Sequence, residues 1–138
     1  MKLLVLLAAD YANVTGDGKL NVMGVFRDIN ATNFPVRLSS MHLVIKLSAE
    51  LGEYGDTRTL VVKLRDPDGT EIMNLTAPAA IPNSQEGKIP EVNAILELKE
   101  IIFPKPGPYQ FVVLVDKDYK GDLPIYVNKL ESPTDKEV

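Results

Sequence analysis

Apolar and polar residues alternate with a period of two along most of this chain, the pattern of strands whose successive side chains point to opposite faces of a sheet. Met41, Leu43, Ile45 and Leu47 alternate with His42, Val44, Lys46 and Ser48, and Leu60, Val62 and Leu64 alternate with Thr59, Val61, Lys63 and Arg65. These runs predict strands over residues 41–49 and 57–65, each with one face in a core. Residues 2–9 are apolar on both faces and predict a buried strand, and a second strand follows the Gly16-Asp17-Gly18 reversal, from residue 19 to about residue 30. Asp66-Pro67-Asp68-Gly69 has the residues of a tight turn and predicts a hairpin to residues 70–76. The segment 91–103 contains helix formers, yet Val92, Ala94, Leu96 and Leu98 alternate with Asn93, Glu97 and Lys99, and Ile101-Ile102-Phe103 favours β, so it predicts a strand. Pro104 to Pro108 forms a turn, residues 109–115 a strand, residues 116–122 a loop and residues 123–130 the last strand. Residues 77–90, with Pro78, Pro82 and Pro90, read as the longest irregular stretch and as a mobile loop.

About eight short strands joined by turn signals, with no convincing amphipathic helix, predict an all-β fold, an antiparallel β-sandwich. Cys and Trp are both absent, which removes the Cys–Trp–Cys core of true immunoglobulin domains. The fold is therefore expected to be immunoglobulin-like in architecture only. A length of 138 residues predicts one domain over residues 1–130, followed by a polar tail over 131–138.

Composition narrows the chemistry. Without Cys there is no disulfide framework, thiolate zinc site or cysteine nucleophile, so no cofactor is expected. The net charge is −4 and the 15 Lys and Arg are scattered, which argues against a nucleic-acid partner. No stretch approaches the length needed to cross a bilayer. The opening Met1-Lys2-Leu3-Leu4-Val5-Leu6-Leu7-Ala8-Ala9 has the outline of a secretory signal, but Asp10 and Tyr11 lead directly into a turn where a cleavage site should stand. The segment reads as a structural strand, and the expected location is cytoplasmic.

Ala9-Asp10-Tyr11, Gly18-Lys19-Leu20-Asn21, Gly24-Val25-Phe26, Ile29, Ala31 and Phe34-Pro35 resemble the opening of a family of short bacterial all-β proteins classed as a domain of unknown function. Pro106-Gly107-Pro108-Tyr109-Gln110-Phe111-Val112-Val113 and Leu123-Pro124-Ile125-Tyr126-Val127 are similar to the same family's final hairpin. The resemblance spans nearly the whole chain and implies a fold. It implies no activity, because the residues that carry it specify turns and corners.

No catalytic or metal-binding residues are assigned. His42, the single histidine, would need Ser39, Ser40 or Ser84 and an orienting carboxylate to form a triad, and no nucleophile-elbow context exists. Asp116-x-Asp118-x-Lys120-Gly121-Asp122 imitates a calcium loop, but Lys120 and Val127 occupy positions that need oxygen ligands. Asp10, Asp17, Asp66 and Asp68 read as turn-forming acids. The alternative to a binding role is a carbohydrate-binding or carboxylate-based glycoside-processing protein, for which Tyr11, Tyr54, Tyr109, Tyr119 and Tyr126 are too dispersed to form a sugar platform.

The favoured expectation is a non-enzymatic interaction or oligomerisation module whose partner is itself, as a homo-oligomer, or another protein. Its candidate interface is Leu3, Leu4, Val5, Leu6 and Leu7. Strict alternation places Leu3, Val5, Leu7 and Ala9 on one face and Leu4, Leu6 and Ala8 on the other, and only one set can enter the core. The 77–90 loop is the competing cover for the remaining face.

Overall fold

The structure is a computed structural model, and it describes residues 1–83 and 87–131. Its strands are β1 (Lys2–Val14), β2 (Leu20–Phe26), β3 (Asp28–Ala31), β4 (Val36–Ser48), β5 (Thr57–Arg65), β6 (Glu71–Ala80), β7 (Glu91–Phe103), β8 (Gly107–Val115) and β9 (Asp118–Lys129). A front sheet has the order β2-β1-β4-β7 and a back sheet the order β3-β9-β8-β5-β6. Neighbours are antiparallel except β3 and β9, which run parallel. The all-β sandwich expected from periodicity is what the chain forms, with β7 extended despite its helix formers.

The alternating runs supply the core from both sheets. Leu43, Ile45 and Leu47 of β4 face Leu60, Val62 and Leu64 of β5 and Phe111 and Val113 of β8. Tyr109, fully buried, packs edge-on against Phe103 with ring centroids 4.9 Å apart. Its hydroxyl donates to the Lys105 carbonyl at 2.7 Å and accepts from the Lys105 amide at 3.2 Å. This is the tyrosine corner of immunoglobulin-like sandwiches: an aromatic body fills the core while its polar tip satisfies the turn that precedes it.

Four expectations are corrected. The strand expected from residue 19 to about residue 30 is two strands, because after Phe26 the chain leaves the edge of the front sheet, passes Arg27 and joins the edge of the back sheet as β3, giving nine strands. Residues 77–80 extend β6 instead of opening a loop, since Pro78 sits in an edge strand, where a missing donor is tolerated. Residues 116–122 are not a loop: Asp116 and Lys117, with φ of 49° and 76°, make a two-residue hairpin turn with positive φ at both positions, and β9 begins at Asp118. Last, β1 does not alternate strictly. A bulge between Leu3 and Val5 shifts its pairing with β4 from Leu3–Leu47 to Val5–Lys46. Leu3, Leu6 and Ala8 consequently pack against the core, while Val5, Leu7 and Ala9 share the outer face with Lys46, Val44 and His42.

A Tyr109→Phe substitution should keep the fold and lower the unfolding free energy by about 1–2 kcal/mol, because the Lys105 amide and carbonyl lose their partner with little change in packing. Denaturant titration measures this, and an unchanged midpoint would show that the corner adds nothing.

Candidate interaction surface

The register of the front sheet places its outward side chains in rows. Leu7, Val44 and Ile95 form one row across β1, β4 and β7. Val25, Ala9, His42 and Glu97 form the next, and Met23 and Tyr11 lie beyond it on β2 and β1. On the other side, Val5, Lys46 and Asn93 form a row, with Lys2, Ser48 and Glu91 after it. Val44 and Ala9 are fully buried on this face, whereas Met23, Val25 and Tyr11 remain 64%, 53% and 47% exposed. The result is an apolar stripe running from Ile95 to Met23.

Beyond Ala9, β1 pairs only with β2, and this hairpin arm folds back so that Gly18 at its turn lines one cleft with Pro82, Lys88, Ile89, Pro90 and Glu91 at the Lys2 end of the sheet. A two-stranded ribbon is marginal alone in water. The root of this arm is pinned to β4: His42 Nδ1 lies 3.1 Å from the Asp10 carbonyl oxygen, as an N–H donating to it, and the His42 ring meets Tyr11 edge-on at 5.3 Å. Gly24, at φ 70°, lies against Asp10, where a Cβ would collide with the carboxylate.

Of the five residues expected at an interface, Val5 and Leu7 belong to the stripe. Leu3 and Leu6 pack against the core, and Leu4, next to the bulge, is 43% exposed. Strict alternation missed Tyr11, Met23, Val25, Val44 and Ile95. A signal was present for two of them, because Val44 and Ile95 are apolar residues in the polar half of their alternation.

The candidate chemistry is dispersed. Ser39 and Ser40 are exposed on β4, the His42 ring is engaged by Asp10, and Ser84 lies outside the described residues. Asp66 accepts from the Asp68 and Thr70 amides, Asp68 pairs with Lys105, Asp17 accepts from Thr15, and Asp122 accepts from Tyr119 at 2.6 Å. Asp116 accepts from the Thr59 amide at 2.9 Å and from Arg58 at 3.1 Å, and these two bonds hold its carboxyl below the usual value. Among the described residues, no group of three or more His, Asp and Glu is placed to hold a metal ion. Asp10 and Asp28 line one cleft of about 250 Å³ with Phe26, Ile29 and Leu38. It is smaller than the roughly 300 Å³ at which ligand sites begin, and Asp28 accepts from Asn128 at 3.1 Å. No helix in the described residues is long and apolar enough to cross a membrane.

The model of a family of unknown function (DUF6941) matches residues 4–128. No curated protein and no solved structure matches the chain.

One ionic cluster closes the end of the sandwich near Met1. The α-amino group of Met1 donates to Glu53 Oε1 at 2.8 Å, the Glu50 amide donates to the same oxygen at 2.8 Å, and Arg58 Nε lies 3.8 Å from Oε2. Burial pushes the Glu53 carboxyl up, but these hydrogen bonds and the two positive charges outweigh it and hold the group below its ordinary value of 4.5. A carboxyl depressed in the folded state stabilises the fold above its unfolded pKa, and that contribution is lost as pH falls through the folded value. Glu53→Gln should therefore cost about 1–3 kcal/mol at pH 7. The difference from wild type should shrink as pH falls below about 4.3. Thermal melts across pH 3–7 check this, and a pH-independent difference would contradict it.

Proposed function

The chain belongs to this family of unknown function, and we propose that it is a non-enzymatic interaction module that associates with a second copy of itself through the exposed apolar side of the β1–β2 arm. The observation that carries this reading is the exposed apolar set Tyr11, Val25 and Met23 on the outward side of the β1–β2 arm. The outer face of the back sheet is mixed: Lys63, Asn74, Thr76, Asp122 and Gln110 point outward there beside Val61, Val112, Leu114 and Tyr126.

Asp17, Glu53, Asp66 and Asp116 support the non-enzymatic part, because they hold turns, an arginine and backbone amides. A cytoplasmic location fits the same reading: Met1, Leu3, Leu6 and Ala8 pack in the core, and cleavage of residues 1–9 as a leader would remove a strand lying between β2 and β4.

Light scattering over a concentration series should give twice the chain mass at about 100 μM, a concentration that populates even a weak dimer. Met23→Glu, on the exposed side of the arm, should leave a folded monomer, whereas Leu6→Glu, facing the core, should abolish folding. A wild type that is strictly monomeric at that concentration, or a dimer indifferent to Met23→Glu, would sink the proposal.

A further inference from the structure

The β1–β2 arm is docked on the front sheet by apolar contact. Among the described residues, every hydrogen bond and ion pair of residues 11–23 stays within the arm: Asn21 Nδ2 donates to Asn13 Oδ1 at 3.1 Å, the Thr15 amide donates to the Lys19 carbonyl at 2.9 Å, and Lys19 Nζ lies 3.5 Å from Asp17. The cross-strand pairs Ala12–Val22 and Val14–Leu20 alternate with Tyr11–Met23 and Asn13–Asn21. Tyr11 and Met23 are exposed and Ala12 is buried, so Ala12, Val22 and Leu20 form the underside of the arm. On the sheet beneath, Val44 is fully buried in the Leu7–Val44–Ile95 row, and in the next row Asn93 Oδ1 is buried with no hydrogen-bond partner.

The bend that lays the arm down is confined to one level of the hairpin. Pairing runs through Ala8–Phe26 and Ala9–Val25, skips Asp10 and Gly24, and resumes at Tyr11–Met23. Gly24 stands there at φ 70°, and glycine passes between positive and negative φ at little cost. Rotation at this level straightens the ribbon with its internal hydrogen bonds intact. It bares two surfaces that fit each other, the underside of the arm and the row beneath it. Independently of the surface contact proposed above, we infer that the arm is an exchangeable strap: two copies pair when each lays its straightened arm over the other's front sheet. The occupant of that face is set by the contact already made within one chain, because the arm of a second copy is the same surface. A two-fold axis just beyond Ala9, lying across the strands, sets the copies end to end. Each arm then runs over its partner in the direction it takes when folded, from the His42 end towards the Lys2 end. Exchange of an identical element is a low-cost route to a closed dimer.

No new contact is made on exchange, so the balance is set by two quantities. The first is the effective concentration of the arm over its own sheet, on the order of 1 mM for a short link, which is then the dissociation constant of the exchanged pair. The second is the bend itself, which the folded chain carries and the exchanged pair has lost. A side chain at position 24 acts on the bend alone, since residues other than glycine resist positive φ and a Cβ there meets the Asp10 carboxylate. Gly24→Ala should disfavour the folded arm about tenfold in each chain, and both chains are relieved on pairing, so the dissociation constant should fall about a hundredfold, to roughly 10 μM.

The test is made in a chain that already carries Met23→Glu, a change on the side of the arm away from the sheet, so that a contact through Tyr11, Met23 and Val25 does not contribute. Sedimentation over a concentration series reads association, and circular dichroism confirms that each variant is folded. With Gly24→Ala added, the protein should be mostly dimeric at about 100 μM, ten times the expected dissociation constant. Adding Val22→Glu, which puts a charge on the underside of the arm, should return it to a folded monomer. A Gly24→Ala chain that stays monomeric at that concentration, or a dimer that survives Val22→Glu, overturns the exchange. Should Gly24→Ala not fold, Met23→Glu alone at about 2 mM carries the test: a dimer lost on Val22→Glu upholds the proposal, and a monomer overturns it. The surface contact is judged separately, on wild type against Met23→Glu at about 100 μM, so either reading can fail without the other.

Discussion

The pairing of β1 with β4 is the interaction on which the other placements in the front sheet depend. Side chains in a strand alternate between faces, so one extra residue in one strand reverses every position after it. The bulge between Leu3 and Val5 makes that reversal once, and it lets the first strand satisfy two demands: Leu3 beside Leu47 and Leu6 beside Ile45 both enter the core. Without it, Leu7 and Ala9 would point inward, and the small Ala8, which sits opposite Leu43 in the core, would be lost from there. The outward set, Val5, Leu7 and Ala9, follows from the same shift. The apolar outer face is thus a consequence of how a strand with no polar side was fitted into the sheet.

Much of this fold is readable in the order of residues. The alternations around Leu43 to Leu47 and Leu60 to Leu64 identify core faces, because burial on one side of a sheet leaves a period of two. Pro106-Gly107-Pro108-Tyr109 marks the corner whose hydroxyl closes back on Lys105. What escapes reading has physical reasons. A bulge inside an apolar run changes no residue type, so the shift at Leu3 leaves no compositional trace. The passage from β2 to β3 keeps an extended chain, and only the change of neighbours reveals it. The β8–β9 turn has Asp116-Lys117 where Asn-Gly or Asp-Gly would have signalled positive φ at both positions. The outward apolar row was legible in part: Val44 and Ile95 stand out locally, but joining them to Met23 and Tyr11 requires the order β2-β1-β4-β7, which only long-range pairing supplies.

Exposure along the outer face falls unevenly. Val44 and Ala9 sit on inner strands, and water reaches neither. They stabilise the sheet whether or not a partner binds. Met23, Val25 and Tyr11 belong to the arm and its edge, where no third strand gives cover, and they carry the surface that association would remove from water. The buried part of the stripe therefore stabilises the monomer, and the exposed part, on the arm, adds little to it.

Association of a β-sandwich has two routes, through a face or through an open edge, and this chain obstructs the second. The front sheet ends in β2, where Gly24 at φ 70° turns the backbone against Asp10, and in β7, where Glu100 at φ 56° interrupts the extended run. The back sheet ends in β3, only four residues long, and in β6, which carries Pro78. Positive φ, brevity and a missing donor each spoil the regular row of amides and carbonyls that a further strand would need. Such blunting suppresses open-ended addition of copies. A two-fold contact through a face differs, because it uses the patch up and stops at two. The protected edges thus deny open-ended growth, and on the reading proposed above the exposed Met23, Val25 and Tyr11 are the part of the surface through which a closed contact would form.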